Sequence, residues 1–231
     1  MIKIYDNNLK NKYIIENNID NIFSENLMPY MELLLFKKNE YICRDGEPLD
    51  YFLFFVEGKA KVNTPLSNGK SLLLCFYEDF RVLGDLEIIN GKSASSNVQV
   101  IEDAYCIGIP LEYVKANLLS DSKFLRYICT SLGEKLESIS KNSSINLLYP
   151  LENRLASYIL AAGERIESRG LKRIEFNENL TEVSELLGTS YRHLLRTLNT
   201  LCTRGVIIKK SSFYEVMNEE SLVKMAADLY R

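Results

Sequence analysis

The sequence predicts an α+β protein with a β-rich N-terminal part, one long helix and a small helical part that ends in a β-hairpin. Three observations support this. Short runs of β-branched and aromatic residues, separated by turn residues, occupy residues 33–109. Apolar residues then recur three and four positions apart over residues 122–147. Beyond Pro150, two short amphipathic segments flank a glycine, and a hairpin pattern follows them.

The N-terminal part has the pattern of an antiparallel β-roll. Tyr51–Val56 is rich in aromatic residues, and the Ser-Asn-Gly sequence at 67–69 predicts a hairpin turn before the run Ser71–Tyr77. Asn97–Ile101 and Ala104–Ile109 predict a further pair of strands, separated by two acidic residues. Many short strands at regular spacing are typical of a sandwich or a roll.

The segment from Ser122 to Leu147 predicts a long helix with a single apolar seam. Charged residues fill the gaps, and no proline interrupts the pattern. A narrow seam on a long helix suits a parallel partner of the same kind, so we expect a homodimer. The alternative is a helix that packs only on its own domain. The predicted dimer interface consists of Leu125, Ile128, Leu132, Leu136 and Ile139.

A hinge and a further helix follow the long helix. Residues 142–146 are polar, and Pro150 suits the first turn of a helix that we expect to continue to about Arg169. Together these boundaries predict three parts. They are a β-roll sensor domain at 1–121, the dimerisation helix and hinge at 122–148, and a winged helix-turn-helix domain at 149–231.

Two capped helices around a glycine predict the helix-turn-helix. Asn179 is a suitable N-cap for the first helix, with Glu182 three residues later, and Gly188 suits the left-handed conformation that ends this helix. Ser190 is a suitable cap for the second helix, Tyr191 to about Thr203. Val206–Lys209 and Phe213–Val216 then predict the β-hairpin of a wing.

The second helix and the wing carry the candidate DNA-binding surface. No acidic residue occurs between Leu186 and Tyr214, which is what a surface facing phosphates requires. At 100° per residue, Leu194, Leu198 and Leu201 form the buried side, and a basic arc lies apart from them. The predicted DNA-binding residues are Ser190, Tyr191, Arg192, His193, Leu195, Arg196, Asn199, Arg204, Lys209 and Lys210.

From about residue 20 to the end, the chain resembles the Crp/Fnr family of bacterial regulators. The segment 43–58, which begins Cys-Arg-Asp-Gly-Glu, resembles the early strands of the family's β-roll. Gly84–Leu86 and Gly91–Ser96 resemble its ligand-binding segment, and Leu186–Arg192 resembles its helix-turn-helix. The resemblance implies a homodimeric DNA-binding transcription regulator that contacts RNA polymerase and is controlled through the roll. The effector pocket that it implies contains Gly84, Asp85, Leu86, Ser93, Ala94, Ser95 and Ser96.

The ligand-binding segment departs from the cyclic-nucleotide binders of this family. Asp85 stands where those proteins have a glutamate for the ribose, and Ala94 stands where they have an arginine for the cyclic phosphate. Burying a phosphodiester without a cationic partner is costly, so we expect no cyclic nucleotide, even though Lys92 is near. The effector is then an unknown small molecule. The alternative is a roll that binds no ligand and serves only as a dimer scaffold and polymerase contact.

Several other function classes are disfavoured by composition. Residues 1–149 contain no histidine, which argues against a cupin-type metalloenzyme, and the single His193 lies on the basic helix, which argues against Ser-His-Asp catalysis and haem ligation. No cysteine precedes Cys43 and no Cys-x-x-Cys pair occurs, so we expect no iron–sulfur cluster. We therefore expect no enzyme activity, cofactor or metal.

The cysteines and the N-terminus fit a cytoplasmic protein. The five cysteines are far apart, and we expect four to be small buried hydrophobic residues, with a redox-sensing thiol as the alternative. Residues 1–12 lack the apolar segment of a signal peptide, and the longest apolar runs are far too short to span a bilayer. We expect a cytoplasmic location and no membrane partner.

Overall fold

The computed structural model describes residues 1–168, 171–226 and 229. The chain divides into two compact units, one formed by residues 1–64 and 76–139 and the other by residues 65–75 and 140–231. The helices are α1 (Asn7–Glu16), α2 (Asp85–Asn90), α3 (Leu111–Asn117), α4 (Ser122–Leu148), α5 (Leu151–Ala162), α6 (Leu180–Leu186), α7 (Tyr191–Thr203) and α8 (Glu219–Ala226). The strands are β1 (Ile2–Ile4), β2 (Glu32–Phe36), β3 (Tyr41–Cys43), β4 (Tyr51–Pro65), β5 (Ser71–Tyr77), β6 (Arg81–Leu83), β7 (Asn97–Pro110), β8 (Glu164–Ser168), β9 (Leu171–Phe176), β10 (Ile207–Lys209) and β11 (Tyr214–Val216).

The predicted β-roll is a seven-stranded sheet in the order β1-β2-β7-β4-β5, with β3 paired to β7 and β6 paired to β4. Strands β2, β3 and β4 each run antiparallel to β7. This confirms the antiparallel N-terminal domain of the predicted α+β fold. The long strand β7 therefore forms the centre of the sheet.

The predicted division between Asn97–Ile101 and Ala104–Ile109 is wrong, because β7 is one continuous strand. Strand β4 is also continuous and extends well beyond the predicted Tyr51–Val56. The interruption expected near residues 102–103 is a part of β7 that faces an irregular stretch of β4, where the register shifts between Phe55 and Ala60. Gly58 has a φ of 108°, and a Cβ there would lie 2.5 Å from the Asp103 carbonyl oxygen. Only glycine fits this close approach, so the chain bends here without ending the strand.

The core of the roll is aromatic, and the first turns of α4 belong to it. Phe52, Phe54 and Phe124 are fully buried, and the rings of Phe52 and Phe124 meet edge to face with centroids 5.4 Å apart. Ile128 is 0% exposed and packs in the same cluster, with Leu132 partly buried against it. Ile128, which the sequence placed in the dimer interface, is therefore a core residue, because its side chain already faces its own domain.

The C-terminal unit contains a four-stranded sheet in the order β10-β11-β9-β8. Helix α5 ends at Ala162, so the expected continuation to Arg169 is wrong, and Arg169 itself lies outside the described residues. The chain instead enters strand β8, which pairs with β9, because Gly163 allows close packing: a Cβ there would lie 2.4 Å from Ile174 Cγ2. Strands β10 and β11 form the predicted wing.

The cysteines are less buried than the sequence suggested. Only Cys106 is fully buried among the five, and Cys129 is exposed. Burial raises the pKa of the Cys43 thiol to about 12 and also raises the pKa of Cys106 and Cys202, which disfavours the thiolate form at each. No helix within the described residues is long and apolar enough to cross a membrane.

Candidate DNA-binding surface and effector region

Local hydrogen bonds set the two helices of the helix-turn-helix. Asn179 Oδ1 accepts from the amides of Thr181 at 2.9 Å and Glu182 at 3.4 Å, as expected for an N-cap. Gly188 ends α6 with a φ of 59°, and Ser190 Oγ accepts from the His193 amide at 3.2 Å to cap α7. The caps predicted at these three positions are confirmed.

Helix α7 separates its buried and exposed residues as predicted. Leu194, Leu198 and Leu201 are all fully buried, and Thr197 is buried beside them. Leu195 is half-buried at the edge of the opposite face. The exposed residues of this helix that were predicted to contact DNA are Tyr191, Arg192, His193, Arg196 and Asn199. The structure therefore brings these side chains to one accessible surface.

The cations near α7 differ in their partners. Arg192 and Arg196 form no ion pair with any carboxylate among the described residues. By contrast, Arg204 pairs with Glu152 of α5, and Lys210 Nζ lies 3.3 Å from Glu215 Oε2 across the wing. Lys209 is exposed on the same hairpin. The two arginines of α7 are thus exposed without a carboxylate partner among the described residues, and an arginine in this position can meet bases or phosphates.

His193 is an exposed residue of α7 and not a core residue. Its Nδ1 lies 3.2 Å from the Thr189 hydroxyl, so the ring is oriented by the turn before α7. His193 and Arg196 also line a cleft of about 240 Å³ whose other side is formed by Pro150 and Glu152 at the start of α5. This cleft is open to solvent and borders the basic surface of α7.

The predicted dimer interface on α4 splits into two sets. Ile128 and Leu132 pack on the roll, whereas Leu136 is 67% exposed and Ile139 is 47% exposed. Leu125 is half-buried between these extremes. The apolar surface left for a partner on this part of α4 is therefore the second half of the seam.

In the effector region, the carboxylate of Asp85 is bound by side chains of α4. Its side chain is 1% exposed, with Oδ1 2.6 Å from Lys135 Nζ and Oδ2 3.0 Å from Ser131 Oγ. Lys135 also donates to the Val82 carbonyl at 2.7 Å. Because Asp85 is buried among these partners, a ribose hydroxyl has no open access to its carboxylate in this structure. Sequence analysis missed Lys135, since nothing local indicates that it meets a residue fifty positions earlier.

The remaining predicted effector residues differ in their exposure to solvent. Ala94 is buried, and its amide and carbonyl bond to Glu47 O at 3.0 Å and Gly46 N at 2.8 Å. Gly84 is buried at the start of α2, and Leu86 is exposed. Ser93 and Ser95 are exposed and Ser96 is half-buried. Ala94 thus contributes backbone hydrogen bonds to the 46–47 turn and no charge.

A buried carboxyl that sequence analysis missed lies beside these residues. Glu87 is 8% exposed, and burial raises its pKa, with the nearby charge of Asp85 acting in the same direction. Lys135 and the Ser95 amide oppose this shift. A separate cavity of about 530 Å³ in the roll is lined by Tyr41 of β3, Tyr51 of β4 and Arg44 from the segment between these strands, among others. None of the seven predicted effector residues lines that cavity.

Comparison with known proteins matches two family models to this chain. The cyclic nucleotide-binding domain model matches residues 33–121, and the Crp-like helix-turn-helix domain model matches residues 153–225. Regulatory protein YeiL from Escherichia coli O157:H7 is 30% identical over 201 residues, which are 85% of this chain and 86% of the relative. This chain belongs to the Crp/Fnr family of regulators.

Other Crp/Fnr proteins are similar at lower identity. A CRP-like cAMP-activated global transcriptional regulator from Mycobacterium tuberculosis is 19% identical over 193 residues, covering 83% of this chain and 86% of that protein. The crystal structure of a Crp/Fnr regulator from Eubacterium rectale superposes with a TM-score of 0.68 at 14% identity, over 96% of each chain. At this identity the structure supports the fold alone.

Family membership settles the general function. A Crp/Fnr chain with a Crp-like helix-turn-helix is a DNA-binding transcription regulator, and the confirmed α+β fold agrees with it. The family and the fold point to regulation of transcription and not to catalysis. The basic surface on α7 is where this chain's own residues fit that function.

Proposed function

We propose that this regulator works as a cytoplasmic homodimer that binds a two-fold symmetric DNA site through α7 and the wing. The observation that carries the proposal is the exposed, acid-free face of α7, on which Arg192 and Arg196 have no carboxylate partner among the described residues. An arginine fork matches guanine N7 and O6 or a phosphate. Ser190, Tyr191, His193, Leu195 and Asn199 complete this surface, and Arg204, Lys209 and Lys210 flank it.

The dimer part of the proposal is supported by α4. Leu136 and Ile139 are large apolar residues that a single chain leaves in water, which a second copy of the helix would cover. Paired helices would place the two copies of α7 in successive major grooves, about 34 Å apart. The parts at 1–121, 122–148 and 149–231 then serve as sensor, dimerisation helix and DNA-binding domain.

Selection of bound fragments from random DNA tests this proposal. We expect enrichment of a palindrome with half-sites about one helical turn apart. The control is the Arg192→Ala, Arg196→Ala double variant, which should enrich no sequence. An asymmetric single site, or the same enrichment from the control, contradicts the proposal.

We also propose that the roll does not respond to cyclic nucleotides. Ala94 supplies no cation for a cyclic phosphate, and Asp85 is already paired with Lys135. Titration calorimetry with cyclic AMP and cyclic GMP should therefore show no binding at micromolar concentrations. A micromolar dissociation constant for either nucleotide contradicts this, and would mean that another cation, such as Lys92, binds the phosphate.

A second candidate is a roll that needs no ligand and acts as a dimer scaffold and RNA polymerase contact. The Asp85–Lys135 ion pair favours it, since it joins α2 to α4 without a ligand. Thermal shift against a metabolite panel separates the two candidates, because a ligand that binds the native state raises the melting temperature by mass action. A ligand that does so and also changes DNA affinity supports the small-molecule effector.

A further inference from the structure

Arg154 joins the ends of two helices in the C-terminal unit. Its Nε donates to the Tyr149 carbonyl at 3.2 Å, just beyond the end of α4 at Leu148. Its Nη1 donates to the carbonyl of Leu187, the C-cap of α6. One half-buried guanidinium on α5 therefore contacts the last turn of α4 and the last turn of α6 together.

These two contacts suit the chemistry of a guanidinium. Carbonyl groups at a helix C-terminus have no intrahelical donor and carry the negative end of the helix dipole. Arginine presents several donors in one rigid plane and keeps its charge, so it can hold two such carbonyls at a fixed separation. A lysine ammonium lacks the planar geometry that fixes that separation.

The Leu187 carbonyl lies at the turn that orients the recognition helix. Gly188 follows it directly, and Ser190 then caps α7 in front of Tyr191. The β4–β5 hairpin, residues 65–75, approaches the same turn, because a Cβ at Gly188 would lie 3.7 Å from Leu72 Cδ1. The turn between α6 and α7 is thus restrained by Arg154 and bordered by the hairpin.

We propose that Arg154 is a positioning residue for DNA recognition that couples the end of α4 to the helix-turn-helix turn. A change in the backbone at Tyr149–Pro150 then reaches the start of α7 through one side chain that itself contacts no DNA. This inference rests on the proposed DNA-binding role of α7. It adds a residue outside the binding surface that orients α7 and thereby raises the preference for the operator over random DNA.

The test compares Arg154→Gln and Arg154→Lys with the wild type on the selected operator and on random DNA, over a series of salt concentrations. Arg165→Gln is the matched control, because it removes the same charge from an exposed residue of the same unit. We expect Arg154→Gln to lose about ten-fold or more of its operator affinity and less than about two-fold of its random-DNA affinity. Arg154→Lys should be intermediate, and Arg165→Gln should match the wild type.

The salt dependence distinguishes positioning from direct contact. If Arg154 bound a phosphate, Arg154→Gln would lose affinity equally on both DNAs, and its salt slope would fall by about one unit. That outcome, or an unchanged ratio of operator to random affinity, overturns the inference. A wild type without operator preference instead overturns the proposed function itself.

Hydrogen exchange distinguishes a local change at the turn before α7 from unfolding of the whole variant. The amides of Gly188 and Thr189 bond to Glu185 O and Ser184 O, each at 2.9 Å, and report directly on the turn. We expect faster exchange at these two amides in Arg154→Gln and a smaller change in Arg154→Lys, with the α7 core amides still protected. If Arg154→Gln does not fold, the DNA affinities and the hydrogen exchange of Arg154→Lys provide the test instead. An Arg154→Lys variant that equals the wild type in DNA affinity and in hydrogen exchange then overturns the inference.

Discussion

Asp85 and Glu87 lie two residues apart on α2, but their surroundings differ. Asp85 is buried with three donors, namely Lys135, Ser131 and the Leu86 amide. Glu87 is buried with less compensation, so burial raises its pKa. Replacing Lys135 with an uncharged residue would leave the buried charge of Asp85 without its ion-pair partner, which is strongly destabilising. Removing the charge of Glu87 should have the opposite effect.

Glu87→Gln should therefore stabilise the protein at neutral pH. A carboxyl whose pKa is raised on folding stabilises the native state fully only below its unfolded pKa, and this contribution is lost as the pH rises through the folded pKa. The gain in unfolding free energy from Glu87→Gln should be clear at pH 7 and should shrink towards pH 4. Urea denaturation at both pH values measures it.

Glu137→Gln, an exposed change on α4, is the control for this experiment, and its effect should be small at both pH values. A Glu87→Gln variant that is less stable than the wild type at pH 7 would mean that the charged carboxylate makes compensating contacts stronger than its burial cost.

Among the elements, α7 and the wing hold their cations in different ways. Arg196 projects from a rigid helix with a fully buried opposite face, which suits contact with a base edge. Lys210 lies on a short hairpin, in an exposed ion pair with Glu215. Exposed pairs are weak, so Lys210 can exchange Glu215 for a phosphate at little cost.

Arg196→Ala should cost about 1–3 kcal/mol on the operator and little on random DNA. Lys210→Ala should weaken both alike and lower the salt slope by about one unit, since a flexible ammonium binds phosphate without reading sequence. Salt titrations of each variant on both DNAs measure this, with Lys224→Ala on α8 as an exposed control. Equal losses from Arg196→Ala on both DNAs would place that arginine on the backbone.

Across the two units, the apolar seam of the long helix α4 has two halves with different surroundings. Phe124 and Ile128 complete the core of the roll, whereas Leu136 and Ile139 remain exposed in the single chain. A charge at Leu132 would disturb the roll as well as the proposed interface, because Leu132 packs partly on the core. Leu136 is the better position at which to test the dimer.

Leu136→Glu should give monomers that have lost most of their operator affinity, because it places a charge on the apolar face that we propose to be shared. Sedimentation equilibrium and operator binding measure the two effects. Thr130→Glu adds the same charge at an exposed position of α4 outside the apolar seam and should remain dimeric. A Leu136→Glu variant that stays dimeric and binds its operator would show that this face is not the interface.

Features that depend on neighbouring residues were predictable from the sequence alone. Asn179, Gly188 and Ser190 act on amides and torsions within a few positions, so their residue types were sufficient to predict the caps and the turn. The two faces of α7 followed from its period for the same reason. The antiparallel roll, the wing and the family resemblance needed only patterns along the chain.

Features whose partners are distant in the chain could be identified only from the folded structure. The bend at Gly58 depends on Asp103, and the end of α5 depends on Ile174 packing against Gly163. Ile128 became a core residue because the roll packs against the first half of α4. The Asp85–Lys135 pair and the two carbonyls held by Arg154 also join distant segments. Local propensity carries no information about such pairs, since packing brings them together only after the chain has folded.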